Sequence, residues 1–490
     1  MREAVRPAAA GGRLGPSAEI LSSFDETRLS GVHWRWTAIA ALGDYLDAGS
    51  IVAGGVALPL WTSYLHFGST TVSLIAAFSS NGISTGVGAL IAGRLGDKFG
   101  RKFIYTWDLL LYCLGAIIVA AGVSGPMVIA GYMLLGLAVG IDVPTSWSLI
   151  AEYAPRRHRG KLMAFTNVFW YIGPIVILLL SLAFHPLGLL GARLVFLSLL
   201  VVGAGSYLLR RFLTESPRWS LDEGRSNDVS AALAALSHHR GTAAAGAAPA
   251  PGPAPAPPAG SALAGDPAAA GAGSPAVPSG TATRSARGYR GLLQPRLLKR
   301  FAFITPLYVL WGIPAGTYGF FEPTLFKTVG AHSLAASDGL DILWFGSAIV
   351  ALFVVFMPLN DRIDRRILYA VSAAFCAAGF FLLVFLPVSN IWVAIANILL
   401  FGFGQGIGLW PLQRTWSVEL FPTAVRNTAQ GVLWSFMRIV LGIWSFFLAD
   451  VTGALGFPMV ALMLALMFCY NFVVGGLFGP RTQSVSLEEI

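Results

Sequence analysis

Charge is scarce in this 490-residue sequence. Asp, Glu, Lys and Arg together make up 12% of it, against about 25% in an average soluble domain. With 55% hydrophobic residues and a mean hydropathy of +0.68, that scarcity excludes one water-soluble core. Cysteine is scarcer still. Cys113, Cys376 and Cys469 fall in apolar stretches without paired spacing, which excludes a disulfide frame or a metal site and leaves small buried hydrophobes. Residues 1–34 have no apolar core of signal-peptide length and read as a cytoplasmic tail. No G-x-x-x-x-G-K-[ST], G-x-S-x-G or His-His-Glu cluster occurs, so neither bound ATP nor an intramembrane enzyme is indicated, and no cofactor is expected.

Long apolar runs are what the chain does have. A membrane span needs about 20 largely apolar residues, and twelve such runs occur, near 36–61, 70–93, 103–123, 126–150, 162–184, 190–209, 300–321, 339–359, 367–387, 390–412, 428–449 and 455–478. The expected fold is therefore all-α and membrane-embedded. The net charge of +9 belongs first to topology, and nucleic acid is not an expected partner. Arg94, Lys98, Arg101 and Lys102 fill one short loop, Arg156, Arg157, Arg159 and Lys161 a second, and Arg362, Arg365 and Arg366 a third. Alternate loops are almost bare, with Lys327 alone in 322–338. The positive-inside rule then places both termini in the cytoplasm.

Between the sixth and seventh runs, residues 241–283 are nearly all Ala, Pro, Gly and Ser. Such a segment cannot offset its ordering entropy and is expected to be a flexible linker. The expected organisation is a tail at 1–34, a six-helix bundle at 35–209, a cytoplasmic linker at 210–299, a second six-helix bundle at 300–478 and a tail at 479–490. The basic residues closing the linker, Arg284 to Arg300, read as topology charge or as contacts for anionic lipid heads. A repeat supports the six-plus-six division. "GRLGDKFGRK" (93–102) and "PLNDRIDRR" (358–366) each place an Asp four residues before an Arg: Asp97 and Arg101, Asp361 and Arg365. "AEYAPRRHRG" and "VELFPTAVRN" each place a Glu seven residues before an Arg: Glu152 and Arg159, Glu419 and Arg426. Duplicated halves around a central site are a transporter architecture.

At these residues the sequence resembles the major facilitator superfamily over all twelve runs. Gly93, Asp97, Gly100, Arg101 and Lys102 match its loop motif G-x-x-x-D-x-x-G-R-[RK]. "LTESPRWSLDEGR" (213–225) resembles the sugar-porter signature P-E-S-P-R-W-L…G-R, and "YLDAGSIVAGG" its first-span pattern G-Y-D-x-G-x-x-x-G. With Asp44 included, D-x-x-D also resembles the D-G-[FY]-D of organic-acid and aromatic-acid proton symporters. The resemblance implies two rocking halves, a small-molecule substrate, a proton as co-substrate, lipid surroundings and a monomer in the plasma membrane. The sequence departs from sugar porters at Tyr132, where proton-coupled members carry an Arg, and in the seventh run, which has no Gln-Gln pair. Arg414 and Arg438 stand where tryptophans usually flank the sugar, and Asn167 where a sugar-binding Gln is common.

Asp47 lies near mid-membrane in the first run and Asp44 one turn away on nearly the same face. An ionised Asp there costs about 2.5–3.5 kcal/mol, so this face is expected to look into the bundle. Desolvation and mutual repulsion favour the protonated form. A carboxyl that is neutral in one state and charged in another is what proton coupling requires, which makes Asp47 and Asp44 the coupling candidates. Asp142, Trp147, Asn167, Trp311, Arg414 and Arg438 are the substrate-cavity candidates. The two arginines fit either of two roles, binding an anionic substrate or serving as counter-ions to the aspartates. Asp97, Arg101, Glu152, Arg159, Asp361, Arg365, Glu419 and Arg426 are the cytoplasmic-gate candidates, since mixed-sign clusters exceed what topology requires. The functions in view are symport of a sugar, polyol or similar metabolite with a proton; symport of an organic acid, or export of a drug or metabolite, on the same fold; and, more distantly, nutrient sensing.

Overall fold

A computed structural model describes residues 25–223, 225, 229, 288–328, 334–360, 362–387 and 389–483. Asp361 and the Ala/Pro/Gly-rich segment 241–283 lie outside the described residues. Eleven helices among the described residues are long and apolar enough to cross a membrane. The first to sixth spans are Gly31–Leu65, Ser69–Phe99, Arg101–Ala120, Gly125–Tyr153, Arg159–Leu187 and Leu189–Arg210; the eighth to twelfth are Ala336–Leu359, Arg365–Phe385, Ile391–Glu419, Thr423–Leu455 and Phe457–Phe478. Helix Pro295–Thr328 stands where the sequence places the seventh. Among the described residues the protein is an all-helical membrane protein, with these eleven spans and a further helix in the seventh's place. Short helices Pro217–Asp222 and Tyr289–Leu292 sit between the sixth and seventh.

Several helices outrun the hydrophobic stretches at the end carrying the Lys and Arg loops, called here the basic end. The fifth starts at Arg159 and the eleventh at Thr423, because Arg159 and Arg426 are fully buried in paired contacts and belong to the packed bundle. Three interruptions were not legible, one of them a π turn at Leu352–Phe356 in the eighth span. The second span opens between Phe78 and Ile83. There Thr85 Oγ1 donates to the Ser80 carbonyl at 2.5 Å and Ser84 Oγ to the Phe78 carbonyl at 2.9 Å, so side chains satisfy backbone groups that lipid cannot. The tenth span carries a π turn at Gln405–Leu409, where Ser372 Oγ accepts the Leu409 N–H at 2.7 Å.

Within the first half, the first span packs on the fifth and sixth and the fourth on the second and third. Within the second half, the ninth packs on the tenth and twelfth. The halves meet along two seams, second against eleventh and fifth against eighth. At the first seam Gly431 lies on Ala89 and Gly93, where any side-chain carbon would strike the Ala89 carbonyl. Small residues let helix backbones approach this closely in lipid. The outer surface is apolar, with Leu114, Val201, Val354, Phe447 and Leu466 exposed.

Candidate functional site

The first span carries its carboxylates inward. Asp44 and Asp47 are each 1% exposed, and each meets one arginine of the other half. Arg414 of the tenth span binds Asp44. Its second nitrogen donates to Thr166 Oγ1 at 2.6 Å and Asn167 Oδ1 at 2.7 Å. The guanidinium lies over Trp147, 3.8 Å from the ring centroid, and faces Trp410 at 4.9 Å. Trp147 Nε1 donates to Asp44 at 3.3 Å. Arg438 of the eleventh span reaches both oxygens of Asp47, at 3.3 and 3.2 Å, and also binds Asn81 Oδ1. Trp170 Nε1 donates to Asp47 at 3.2 Å. Tyr132, at the place where the family resemblance implies an arginine, packs instead on Trp61 and Phe196. The counter-charges to Asp44 and Asp47 thus come from the opposite half.

Beside Asp47 lies a small cavity between the two halves. Trp170, Trp311, Trp344, Phe345, Trp410 and Trp434 form its wall, with Asn81 and Arg438 as its polar lining. Trp311 stacks on Trp410 with centroids 3.9 Å apart and planes at 7°, and donates Nε1 to Gln405 at 2.9 Å. Of the cavity candidates, Trp311 and Arg438 line this space. Trp147, Asn167 and Arg414 stand behind it, joined to one another through Asp44 and the Arg414 guanidinium. Asp142 is placed differently from the expectation. It is bound to Arg210 within the first half and is not among the lining residues, because Arg210 holds it away from the cavity arginines.

The basic end is closed by a two-fold arrangement of ion pairs. Glu152 accepts from Arg101 of its own half at 3.1 Å and from Arg426 of the other half at 3.1 Å. Glu419 accepts from Arg365 of its own half at 2.9 Å and from Arg159 of the other at 3.4 Å. Asp97 contacts Arg101 at 3.1 Å, and across the seam it accepts from Thr428 N at 2.9 Å and Thr428 Oγ1 at 2.6 Å. The gate candidates thus come together here, Asp361 excepted because it lies outside the described residues.

Several members of these networks carried no functional reading in the sequence. Asp25 accepts from Arg218 at 2.6 Å and lies 3.6 Å from Arg159. Ser216 donates to the second Glu152 oxygen. Glu215 accepts the backbone N–H groups of Arg101 at 3.0 Å and Lys102 at 3.1 Å, capping the positive end of the third span. Burial pushes the Glu215 carboxyl above its ordinary value, against the pull of the Ser216 N–H and the Arg101 charge. Burial likewise lowers Arg218, with Asp25 opposing. The signature "LTESPRW" held Glu215, Ser216 and Arg218 in plain view; its resemblance named a family, while the atoms name a latch. Asn81 is one polar residue in "FSSNG", and only the helix break aims it at Arg438. Among the described residues no group of three or more His, Cys, Asp or Glu could hold a metal.

Comparison with known proteins agrees with this fold. The sequence matches the Major Facilitator Superfamily over residues 37–445. It is 35% identical over 454 residues to the minor myo-inositol transporter IolF of Bacillus subtilis, covering 93% of this chain and 92% of that protein. It is 26% identical to the glucose transporter GlcP of Staphylococcus epidermidis over 436 residues, 86% of this chain and 88% of that one. Among solved structures, the proton:xylose symporter XylE bound to 6-bromo-6-deoxy-D-glucose superposes with a TM-score of 0.72 at 17% identity, over 96% of this chain and 98% of that chain. An inward-open form of XylE from E. coli superposes with a TM-score of 0.61 at 16% identity, over 93% and 98%.

Proposed function

This chain belongs to the major facilitator superfamily, and on that premise we propose that it is a proton-coupled symporter carrying a polyol or sugar across the plasma membrane by alternating access. The observation that carries the reading is the Asp47–Arg438 pair. It joins the two halves at the wall of the central cavity. Protonation of Asp47 removes the charge that holds Arg438, so proton binding loosens the contact between halves at the place where solute binds. Indole faces suit the C–H surfaces of a cyclic polyol, and the Asn81 amide and Arg438 suit its hydroxyls. The likeness to a protein named as a myo-inositol transporter supports the same solute class.

Asp44 repeats the arrangement one turn away with Arg414, and Trp147, Asn167 and Arg414 hold the cavity wall in place. The basic end faces the cytoplasm by its loop charge, which puts both termini there. Glu152, Glu419, Asp97 and their arginines form the cytoplasmic gate, closed in this conformation and opened when the halves rock apart. The protein acts as a monomer, with residues 35–209 and 300–478 as the moving halves and 210–299 as their tether.

A second reading, symport of an organic acid, rests on Arg438 facing the cavity. A carboxylate solute would replace Asp47 on Arg438 once Asp47 is protonated, through the forked geometry that guanidinium groups favour. Uptake into proteoliposomes of polyols, sugars and carboxylates, with and without an imposed pH gradient, tests both. Concentrative polyol or sugar uptake that needs the gradient supports the first reading. Uptake of carboxylates alone supports the second. Uptake indifferent to the gradient overturns proton coupling.

A further inference from the structure

One buried acid cluster has no part in the cycle above. Arg210, the last residue of the sixth span, is fully buried. One of its nitrogens donates to Asp108 Oδ1 at 3.2 Å and to the Tyr105 carbonyl at 2.6 Å. The other binds Asp142 Oδ2. The guanidinium lies 3.5 Å from the centroid of the Tyr105 ring. Asp108 and Asp142 are each 4% exposed. Each keeps one buried oxygen with no hydrogen-bond partner, Oδ2 of Asp108 and Oδ1 of Asp142. The other titratable groups facing the cluster are Tyr105 from the third span and Asp44 and Asp47 from the first. Asp44 and Asp47 are already matched one to one with Arg414 and Arg438. Arg210 is the one cation among the described residues in ion-pair contact with Asp108 and Asp142.

Two carboxyl groups therefore share a single guanidinium in a medium that does not tolerate an unpaired charge. Their two oxygens without donors are also places where an acidic hydrogen can sit. We propose that Asp108 and Asp142 hold one proton between them around Arg210, as a proton-binding site separate from Asp47. Binding converts one carboxylate to a carboxylic acid and changes no other bond. The site then carries one negative and one positive charge.

Its position gives it a role. At about 1.5 Å per helical residue, Asp108, Asp142, Asp44 and Asp47 stand roughly 10, 16, 20 and 24 Å from the basic ends of their spans. Gly43, next to Asp44, packs directly on the Asp142 carboxylate, where any Cβ would overlap it. A proton leaving Asp44 toward the basic end meets this site first. That role rests on the proton coupling proposed above; the occupancy of the site does not.

Infrared absorption of the protonated carboxyl C=O stretch, measured in reconstituted protein at pH 7 in H2O and D2O, tests it. The wild type is expected to show the band. Asp108→Asn and Asp142→Asn should each remove the same single-carboxyl share, since either remaining acid balances Arg210, and the double variant should remove no more. Asp47→Asn should leave that share intact, so a failure of the transport reading does not register here. Absence of the band in the wild type, or its undiminished presence in both single variants, overturns the proposal. Should the Asn variants fail to fold, Asp108→Glu and Asp142→Glu keep the charge and should shift the band; an unshifted band in both overturns it equally.

Discussion

Asp47 of the first span and Arg438 of the eleventh lie 3.2 Å apart, both buried, and tie the two halves of the protein together beside its central cavity. The pair places charge neutralisation and contact between halves at one point. Asp47→Asn removes the titrating group while keeping its size and an acceptor for Trp170. The expected outcome is that concentrative uptake falls to equilibration, an inside-to-outside ratio near one, while counterflow exchange continues at a reduced rate. Measuring both in the same proteoliposomes checks it. Normal accumulation by Asp47→Asn would show that the proton is carried elsewhere.

The gate makes a symmetric prediction. Glu152 and Glu419 each bridge an arginine of their own half and one of the other. Replacing either by Gln leaves two buried guanidinium groups without their shared anion. Breaking a buried pair from one side costs about 3–5 kcal/mol, and about 1.4 kcal/mol is a tenfold change in population. Both variants should therefore favour opening at the basic end, by tenfold or more. Spin labels placed on the basic ends of the second and eleventh spans should report a longer distance in each variant. An unchanged distance distribution in both would mean that these pairs set topology and do not gate.

How far the sequence reached is best seen at the arginines. Asp44 and Asp47 stood out because polar residues are conspicuous in an apolar run, and Arg414 and Arg438 could be placed by counting from the repeated Glu419 and Arg426. Their partners could not be assigned, because nothing in the spacing says which face of the tenth span meets the first across the bundle. Arg210 was invisible for another reason. It ends the sixth span, where an arginine reads as topology charge, yet it folds inward and takes Asp142 out of the cavity. The break at Ser79–Gly82 was equally hidden, since lipid-embedded helices tolerate Gly and Ser without breaking. Twelve spans and two halves were readable from hydropathy and repetition; the pairing of charges across helices is tertiary information.

The Asp44–Arg414 pair predicts strong coupling between two residues far apart in the chain. Asp44→Asn leaves Arg414 with Thr166, Asn167 and the faces of Trp147 and Trp410. Arg414→Gln leaves a buried carboxylate held by Trp147 alone. Each single change should destabilise by about 3–5 kcal/mol, and the double variant by clearly less than their sum. Arg414→Lys should not restore the wild type, because an ammonium cannot fork between Asp44 and Asn167 while lying flat on an indole. Denaturation of the four proteins in detergent gives the cycle, and additive losses would mean that the pair contributes nothing as a pair.

Glu215 makes the prediction about pH. Its carboxyl is raised by burial, so the folded protein keeps the proton to higher pH than the unfolded chain does. A carboxyl shifted this way weakens the fold as pH rises through the ordinary carboxylate range to the folded value, and the loss persists above it. Lowering the pH from neutral toward that range should therefore raise this group's contribution to the melting temperature. Glu215→Gln, which is always neutral, should flatten that part of the profile. Scanning fluorimetry of both proteins across pH 4 to 8 checks the sign, and identical profiles would remove Glu215 from the account.

Two glycines of the first span separate close packing from helix propensity. At Gly43 an added Cβ would overlap the Asp142 carboxylate, whereas at Gly55 it would meet nothing within 4 Å. Alanine favours a helix over glycine at either position by about 1 kcal/mol. At Gly55 that gain is unopposed, so Gly55→Ala should be neutral or stabilising. At Gly43 the methyl must push Asp142 off Arg210 or part the first and fourth spans, and overpacking of this kind costs about 1–3 kcal/mol. Gly43→Ala should therefore lower the melting temperature although the residue is a better helix former, and Asp142→Asn in the same chain should recover part of the loss by removing the charge that the methyl displaces. If Gly43→Ala and Gly55→Ala behave alike, the first span does not hold Asp142 against its arginine, and the ladder of carboxylates loses the contact that joins Asp44 to its lower steps.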